Sequence, residues 1–492
     1  MAYGHCNSPH TLSIHILDND SLLSIFYHYR PAIFDGDEKD NERIAGGKGW
    51  DRERWWYKLA HVCQRWRNVI LGSPIHLGLS LVCTWGMPVA DILAHSPPFP
   101  LVIEYTDAEE NREVTAEDEK GIILALEQRD RVRRIRLQMP VPNLQKLIMA
   151  IDEEYQALEY LVIEPYKDNV DTALTFPETF QAPHLRHLAL RLFVPPIGSR
   201  LLTAAAGLVT FAFVSRHPST HLQPNIMLQW LSFMPHLETL LIIFLSPVSG
   251  RDVERQLTHT PHFTLPNLRW IFFKGVKTYL EALVRRITAP RLEKLIVHFF
   301  EQLTFSVPRL LQFMNTVENL RFDSAKIWFS RDGVHMRLYP REKAEMYALA
   351  MDICCHHLDW QVSSMAQVFD SHSQLFSSVE HLTIEHWVHS RSTEEHNEVD
   401  RTEWHKLLGS LSKVKTFRVS DGLVEEFSRC LRLDDDELPL ELLPELQELT
   451  YSGSGSANDA FKSFVDARQN AGRPVTVTIE DKGPSLPSTS SN

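Results

Sequence analysis

The chain is poor in the features that would fix its class at once. Its six cysteines, at 6, 63, 83, 354, 355 and 430, have no framework spacing. A disulfide-stapled fold is therefore not expected, and reduced thiols in a cytoplasmic or nuclear protein are. The longest apolar run, Thr239 to Leu245, is far shorter than the roughly 20 residues of a membrane-spanning helix. The first residues hold no charged segment followed by an apolar one, so no secretory leader is expected. Basic residues are in deficit, 50 Lys and Arg against 63 Asp and Glu, for a net charge of −13. That balance disfavours general nucleic-acid binding, which needs phosphate-neutralising cations in excess.

Catalytic and metal motifs are equally scarce. Gly46-Gly47-Lys48-Gly49 lacks the spacing and the following Ser or Thr of a phosphate-binding loop. Ser452-Gly453-Ser454-Gly455-Ser456 reads as a turn, and Asp434-Asp435-Asp436-Glu437 as a solvated loop without calcium-loop spacing. Cys354-Cys355-His356-His357 lines up four metal-ligand residue types. Neighbours on a strand point to opposite faces, so no more than about two could reach one ion. One buried Cys with the histidines on the rim is the expectation. No nucleophile, base and orienter set is legible. The sequence thus leads to no expected metal, cofactor or enzymatic activity.

What the chain does have is repetition. Ten segments place apolar residues at a first, fourth and sixth position: Val132-Ile135-Leu137, Leu158-Leu161-Ile163, Leu185-Leu188-Leu190, Leu237-Leu240-Ile242, Leu268-Ile271-Phe273, Leu292-Leu295-Val297, Val317-Leu320-Phe322, Val379-Leu382-Ile384, Val414-Phe417-Val419 and Leu446-Leu449-Tyr451. The fourth and sixth positions share a face on an extended chain, so each segment reads as a short strand with one buried side. Such strands bury that side only by stacking, and the pattern is the leucine-rich-repeat signature.

Successive first positions lie 26, 27, 52, 31, 24, 25, 62, 35 and 32 residues apart. Leu208-Phe211-Phe213 divides the first long interval, and Leu349-Met351-Ile353-Cys355 divides the second. This last run reads as a strand, although Met346, Leu349 and Ile353 also fit a helix. Helical stripes fall between strands at Leu144-Leu147-Ile148-Ile151, Leu280-Leu283-Val284-Ile287 and Trp404-Leu407-Leu408-Leu411. Pro183, Pro235, Pro266, Pro290 and Pro444 each stand two residues before a strand's first Leu, where they end a helix and favour extended entry. Asp332-Gly333 between two alternating runs predicts a hairpin decorating one repeat. The ninth position, usually Asn or Cys, is Tyr166, Phe193, Leu245, Val276, Phe300 or Trp387, which predicts an irregular solenoid.

The expected fold is therefore α/β, with parallel strands alternating with helices in about twelve repeats. The expected organisation is a tail at 1–9, a helical module at 10–76 with a loop insert at about 30–52, a solenoid at 77–482 and a disordered tail at 483–492. In the first 76 residues Leu17, Leu22, Leu23, Ile25 and Phe26 mark one helix behind the capping candidates Asp18 to Ser21. Trp55-Trp56, Leu59, Val62-Cys63 and Trp66 mark a second, ending at Gly72-Ser73-Pro74. Leu77-Leu79-Leu81 reads as the first strand.

The motif Leu17-x-x-Asp20-x-Leu22-Leu23-x-Ile25-Phe26 with Leu59-x-x-Val62-Cys63-x-x-Trp66-Arg67 resembles an F-box. The chain as a whole resembles fungal F-box proteins of the basidiomycete type with leucine-rich repeats. Their C-terminal pattern is similar to Leu442-Leu443-Pro444-x-Leu446-x-x-Leu449 followed by Arg468 and Arg473-Pro474-Val475. The family's usual Leu-Pro start is here Leu17-Asp18.

The resemblance implies an F-box docked on the Skp1 adaptor, and through it on a cullin–RING ubiquitin ligase. Leu17, Leu22, Leu23, Ile25, Phe26, Leu59, Val62, Cys63 and Trp66 carry over as Skp1-binding candidates, several of them also holding the module together. Arg52, Arg54, Lys58, Arg65 and Arg67 suit an acidic partner. The repeats would then hold a protein target. Third, fifth and seventh strand positions line the face away from the core, among them His187, Arg191, Trp270, Phe272, Lys274, Lys294, His298 and Arg321 against Asp323 as the only acid. Of these, Arg191, Trp270, Phe272, Lys274, Lys294, His298 and Arg321 are the expected contacts to an acidic or phosphorylated segment. The alternative is a repeat scaffold without ligase function, whose helical end only caps the array.

Overall fold

The computed structural model describes residues 17–30, 55–106, 113–165, 174, 176–191, 194–195, 198–215, 222–247, 261–300, 306–341, 346–370, 373–387, 401–431, 442–452 and 460–480. Both expected tails, the loop insert from 31, the glycine run at 46–49, the acidic loop at 434–437, residues 453–456, Tyr166 and Phe193 lie outside them. The chain divides into two compact units, Met1–Leu188 with Gly198–Ala205, and Ala189–Ile197 with Ala206–Asn492.

The first unit opens with helices at Asn19–Tyr29, Trp55–Ala60, Gln64–Gly72 and Pro74–Leu77. Strands β1 (Leu81–Cys83), β2 (Leu101–Tyr105), β3 (Val132–Met139) and β4 (Tyr160–Pro165) follow, with helices Val89–His95, Ala116–Leu126 and Val141–Met149 between them. The four strands pair in parallel, each with the next. Strand β5 (His187–Arg191) runs from one unit into the other.

Two expectations for this region need correction. The second N-terminal helix is two helices, because the chain breaks at His61–Cys63. There the Cys63 sulfur accepts the Trp66 N–H at 3.5 Å and starts a new helix. The first strand begins only at Leu81. Leu77 closes a short helix, and Gly78 at φ 61° turns the chain, a conformation that glycine adopts without strain. Leu77, Leu79 and Leu81 are nonetheless all buried.

The second unit contains β6 (Thr210–Ser215), β7 (Thr239–Phe244), β9 (Trp270–Gly275), β11 (Lys294–Phe299), β12 (Ser324–Ser330), β13 (Gly333–Tyr339), β14 (Leu349–Cys354), β15 (His381–Trp387), β16 (Thr416–Val419), β17 (Glu448–Ser452) and β18 (Thr476–Glu480). The short β8 (Phe263–Thr264) and β10 (Ile287–Thr288) pair with each other separately. Apart from β13, the strands of the main sheet pair in parallel or run in the same sense, with helices such as Lys277–Val284, Arg401–Gly409 and Asp421–Cys430 between them. Parallel strands alternating with helices make this a mixed α/β, leucine-rich-repeat-like array. The helices cover one face through ring contacts such as Phe273–Tyr279, Phe329–Trp404 and Phe417–Phe427. Leu349–Cys354 is a strand, which settles the helix alternative.

The recurrent prolines have a sharper role than ending helices. Leu185, Leu237, Leu268, Leu292 and Leu446 each donate their backbone N–H to the carbonyl three residues back, at 3.1 to 3.3 Å. Each proline sits at the second position of that turn, where its fixed φ is already correct. In several repeats the residue after the first position then ties one repeat to the next. Glu238 O accepts from Arg269 and Trp270, Arg269 O from Glu293 and Lys294, and Glu380 O from Lys415 and Thr416.

This ladder corrects the phase of one repeat. Asp323 O accepts from Glu380 and His381, which is the role of the residue after a first position. The repeat is therefore Phe322-Ala325-Ile327, with Ala325 and Ile327 level with Leu382 and Ile384. Val317-Leu320-Phe322 is no strand, and its apolar side chains fill the preceding turn. The small Ala325 hid the true phase.

The hairpin is also more than a decoration. Spatially the order runs β11, β14, β13, β12, β15, so the chain passes over two strand places and fills them in reverse. β13 runs antiparallel to both neighbours. Gly333 is required at its start, since a Cβ there would stand 2.3 Å from the Ile353 carbonyl oxygen. At the far end Arg468, almost fully buried, donates to the carbonyls of Leu443, Pro444 and Leu446 at 3.1 to 3.2 Å. That contact ties the turn Leu443-Pro444-x-Leu446 to the last helix, Lys462–Asn470.

Candidate interaction surfaces

In the first unit, Asp18 caps the helix Asn19–Tyr29 by accepting the Ser21 N–H at 2.6 Å. That bond holds its carboxyl below the usual carboxylate range. Asp18 thus has a local function as a helix cap. Arg65 joins two helices by donating to the Asn19 side chain at 3.0 and 3.1 Å and to the Leu17 carbonyl. Phe26 meets Trp66 edge-on with ring centroids 4.8 Å apart.

The expected adaptor contacts now divide into three groups. Leu22 and Phe26 are buried inside the module, so they are core. Leu17, Leu23, Leu59, Cys63 and Trp66 are half-buried. Ile25 is 47% and Val62 57% exposed, in company with Tyr29 at 58% and Ile75 at 94%. The reverse side of these helices packs inward. Trp55 and Trp56 are buried, and Trp56 meets Phe99 edge-on at 5.9 Å.

In the second unit the face away from the helices can be read row by row from the strand register. One row runs Val214, Ile243, Lys274, His298, Asp352, His335, Trp328, Glu385. The next runs Ala212, Leu241, Phe272, Ile296, Ala350, Arg337, Lys326, Thr383. A third begins Thr210, Thr239, Trp270, Lys294. Trp270, Phe272, Lys274, Lys294 and His298 are thus brought together as expected. Arg321 is not, because the phase correction leaves it exposed in the turn before β12. Arg191 lies on β5, where the chain changes units.

The expected balance of charge also needs correction. Asp323 lies off the strand, while Asp352 and Glu385 stand in the outward rows. Asp352 accepts from Arg337 at 2.6 and 3.2 Å, from His335 Nδ1 at 3.0 Å and from His298 Nδ1 at 2.9 Å. Burial alone would push its carboxyl up. The bonds from His298, His335 and Arg337 outweigh that and hold it well below the usual range. The Arg337 guanidinium lies between the rings of Trp328 and Tyr347, at 5.0 and 5.2 Å. Lys326 pairs with Glu385 at 2.9 Å. Neither Asp352 nor its partners could be recognised as a set from sequence, since the reversed hairpin alone brings them to adjacent rows of one face. The first unit has a similar cluster, with outward Glu104 facing Arg136 at 3.3 Å and Arg134 at 3.8 Å, and Arg134 over the Tyr160 ring.

One contact resembles catalytic geometry. Ser330 Oγ lies 3.2 Å from His335 Nε2, and His335 Nδ1 lies 3.0 Å from Asp352. The hydroxyl also donates to the Gly333 carbonyl at 2.9 Å, and the carboxylate is already forked by Arg337. Both bonds oppose the proton transfer a serine nucleophile needs, so the chain of bonds acts as a strut across the hairpin. Cys354 is exposed and Cys355 buried, on opposite sides of β14's end. Among the described residues no three His, Cys, Asp or Glu side chains converge as a metal site.

No family model matches the chain, and no curated protein does. Among solved structures, the leucine-rich repeat-containing protein LegL7 from Legionella pneumophila is similar at 10% identity, over 82% of this chain and 91% of that one, with a TM-score of 0.26. So low a score carries no argument. The repeat assignment stands on the strands, turns and ladder described above.

Proposed function

We propose that the chain is the substrate-recognition subunit of a Skp1–cullin–F-box ubiquitin ligase. Its N-terminal helices are the F-box that docks on Skp1, and its repeat array holds a protein target. The observation that carries this reading is that Ile25, on the first helix, and Val62, at the break between two helices, are exposed apolar positions of the F-box residue order, with Tyr29 and Ile75 exposed as well. Burying an Ile or Val side chain of this kind contributes about 1.5–3 kcal/mol to association. Leu23, Leu59, Cys63 and Trp66, being half-buried, complete the contact, while Leu22 and Phe26 shape the module beneath it. The subunit itself is non-catalytic and acts in the cytoplasm or nucleus.

A second reading has its own observation. The edge-on contact of Trp56 with Phe99 ties these helices to the first repeats, as a cap would. The chain would then be an interaction scaffold without a ligase. Co-purification separates the two. Under the ligase reading, full-length protein captures Skp1 and a fragment beginning at Leu77 does not. Equal capture by both, or by neither, removes the F-box.

A further inference from the structure

Building on the reading that the repeats hold a protein target, we propose that the target docks on the outward face of β6, β7, β9 and β11. We further infer that it is an unphosphorylated segment with apolar side chains between two acidic ones. Among the described residues, the outward positions of these four strands include no Asp or Glu, in a chain of net charge −13. They carry two lysines. Lys274 has no ion pair among the described residues, and the ammonium of Lys294 rests over the Tyr347 ring at 4.7 Å. Beside Lys294 in register, the indole N–H of Trp270 has no acceptor among the described residues.

The geometry between the lysines names the occupant. Lys274 and Lys294 sit in the outer two of the three rows, and the row between them is apolar: Leu241, Phe272 and Ile296. Two rows are four residues along a strand, about 13 Å. A bound segment therefore places carboxylates about four residues apart if extended, with apolar side chains between them on Leu241 and Phe272. Phosphate is the poorer fit. It is best held by an arginine fork, and Arg337, the nearest one in these rows, already clasps Asp352 through both nitrogens.

Random short peptides displayed on phage, selected on the full chain, test this directly. The expected winners carry Asp or Glu on both sides of apolar residues. A synthetic winner should bind Lys274→Glu/Lys294→Glu about tenfold or more weakly, and Phe272→Ser likewise, with thermal melting unchanged. Absence of selection, equal binding to these variants, or tighter binding once the acids are replaced by phosphoserine overturns the proposal. Skp1 capture is measured on the same variants. Selection without Skp1 capture by wild type removes the ligase and leaves this site, whereas capture without selection removes this site alone.

Discussion

Single side chains in this protein separate into those that build and those that are left available. Phe26 is 1% exposed and packed on Trp66, so Phe26→Ala is expected to cost about 3–5 kcal/mol in urea unfolding. Its effect on binding would then be uninformative. Asp352→Ala leaves the half-buried Arg337 without its counter-ion and is expected to cost about 2–4 kcal/mol by the same measurement. The pH dependence follows from the direction of the shift. A carboxyl held below its unfolded value, near 3.9, contributes its full stabilisation above that value and loses it as pH falls further. Its loss on acidification is therefore expected only below about pH 4, where the carboxylate itself takes up a proton. A contribution that fades between pH 7 and 5 would mean that Asp352 is not the depressed group.

At the scale of elements, the sequence announced strands better than their phase. Wherever a first position was Leu and a Pro stood two residues earlier, strand and turn were legible, because that pair fixes both the turn and the buried side. The repeat at Phe322-Ala325-Ile327 was missed because Ala325 is too small to register as apolar repetition, while Val317 and Leu320 mimic it from a turn. Spatial reversal of the hairpin was invisible, since nothing local distinguishes a hairpin on the rim from one inside the sheet. The target face inherited both errors: Arg321 fell away and Asp352 entered. The helix break at Cys63 depends on a thiol acting as a cap, an unusual role for cysteine. Glycines give the sharpest test of the reversed hairpin. Gly333→Ala drives a methyl into the Ile353 carbonyl and is expected to destabilise by about 1–3 kcal/mol. Gly409→Ala, at a helix end in open space, is expected to be neutral or stabilising by up to about 1 kcal/mol. Equal thermal melting of the two variants would contradict the placement of β13 against β14.

For the whole molecule, the proposed division of labour sets an adaptor at one end of the chain and a target on the sheet of its second unit. The two surfaces differ in chemistry. The N-terminal helices offer exposed aliphatic and aromatic side chains, and the sheet offers half-buried apolar rows bracketed by lysines. Because Ile25 and Val62 are exposed, Ile25→Asp/Val62→Asp alters the proposed adaptor surface without entering the core. The decisive measurement is calorimetric titration of purified Skp1 into the full chain and into this double variant, with thermal melting of each recorded alongside. The expected result is one-to-one binding by the wild type, weakened about a hundredfold or more in the variant at unchanged melting temperature. No heat of binding with the wild type, or equal affinity for both proteins, would contradict the proposal.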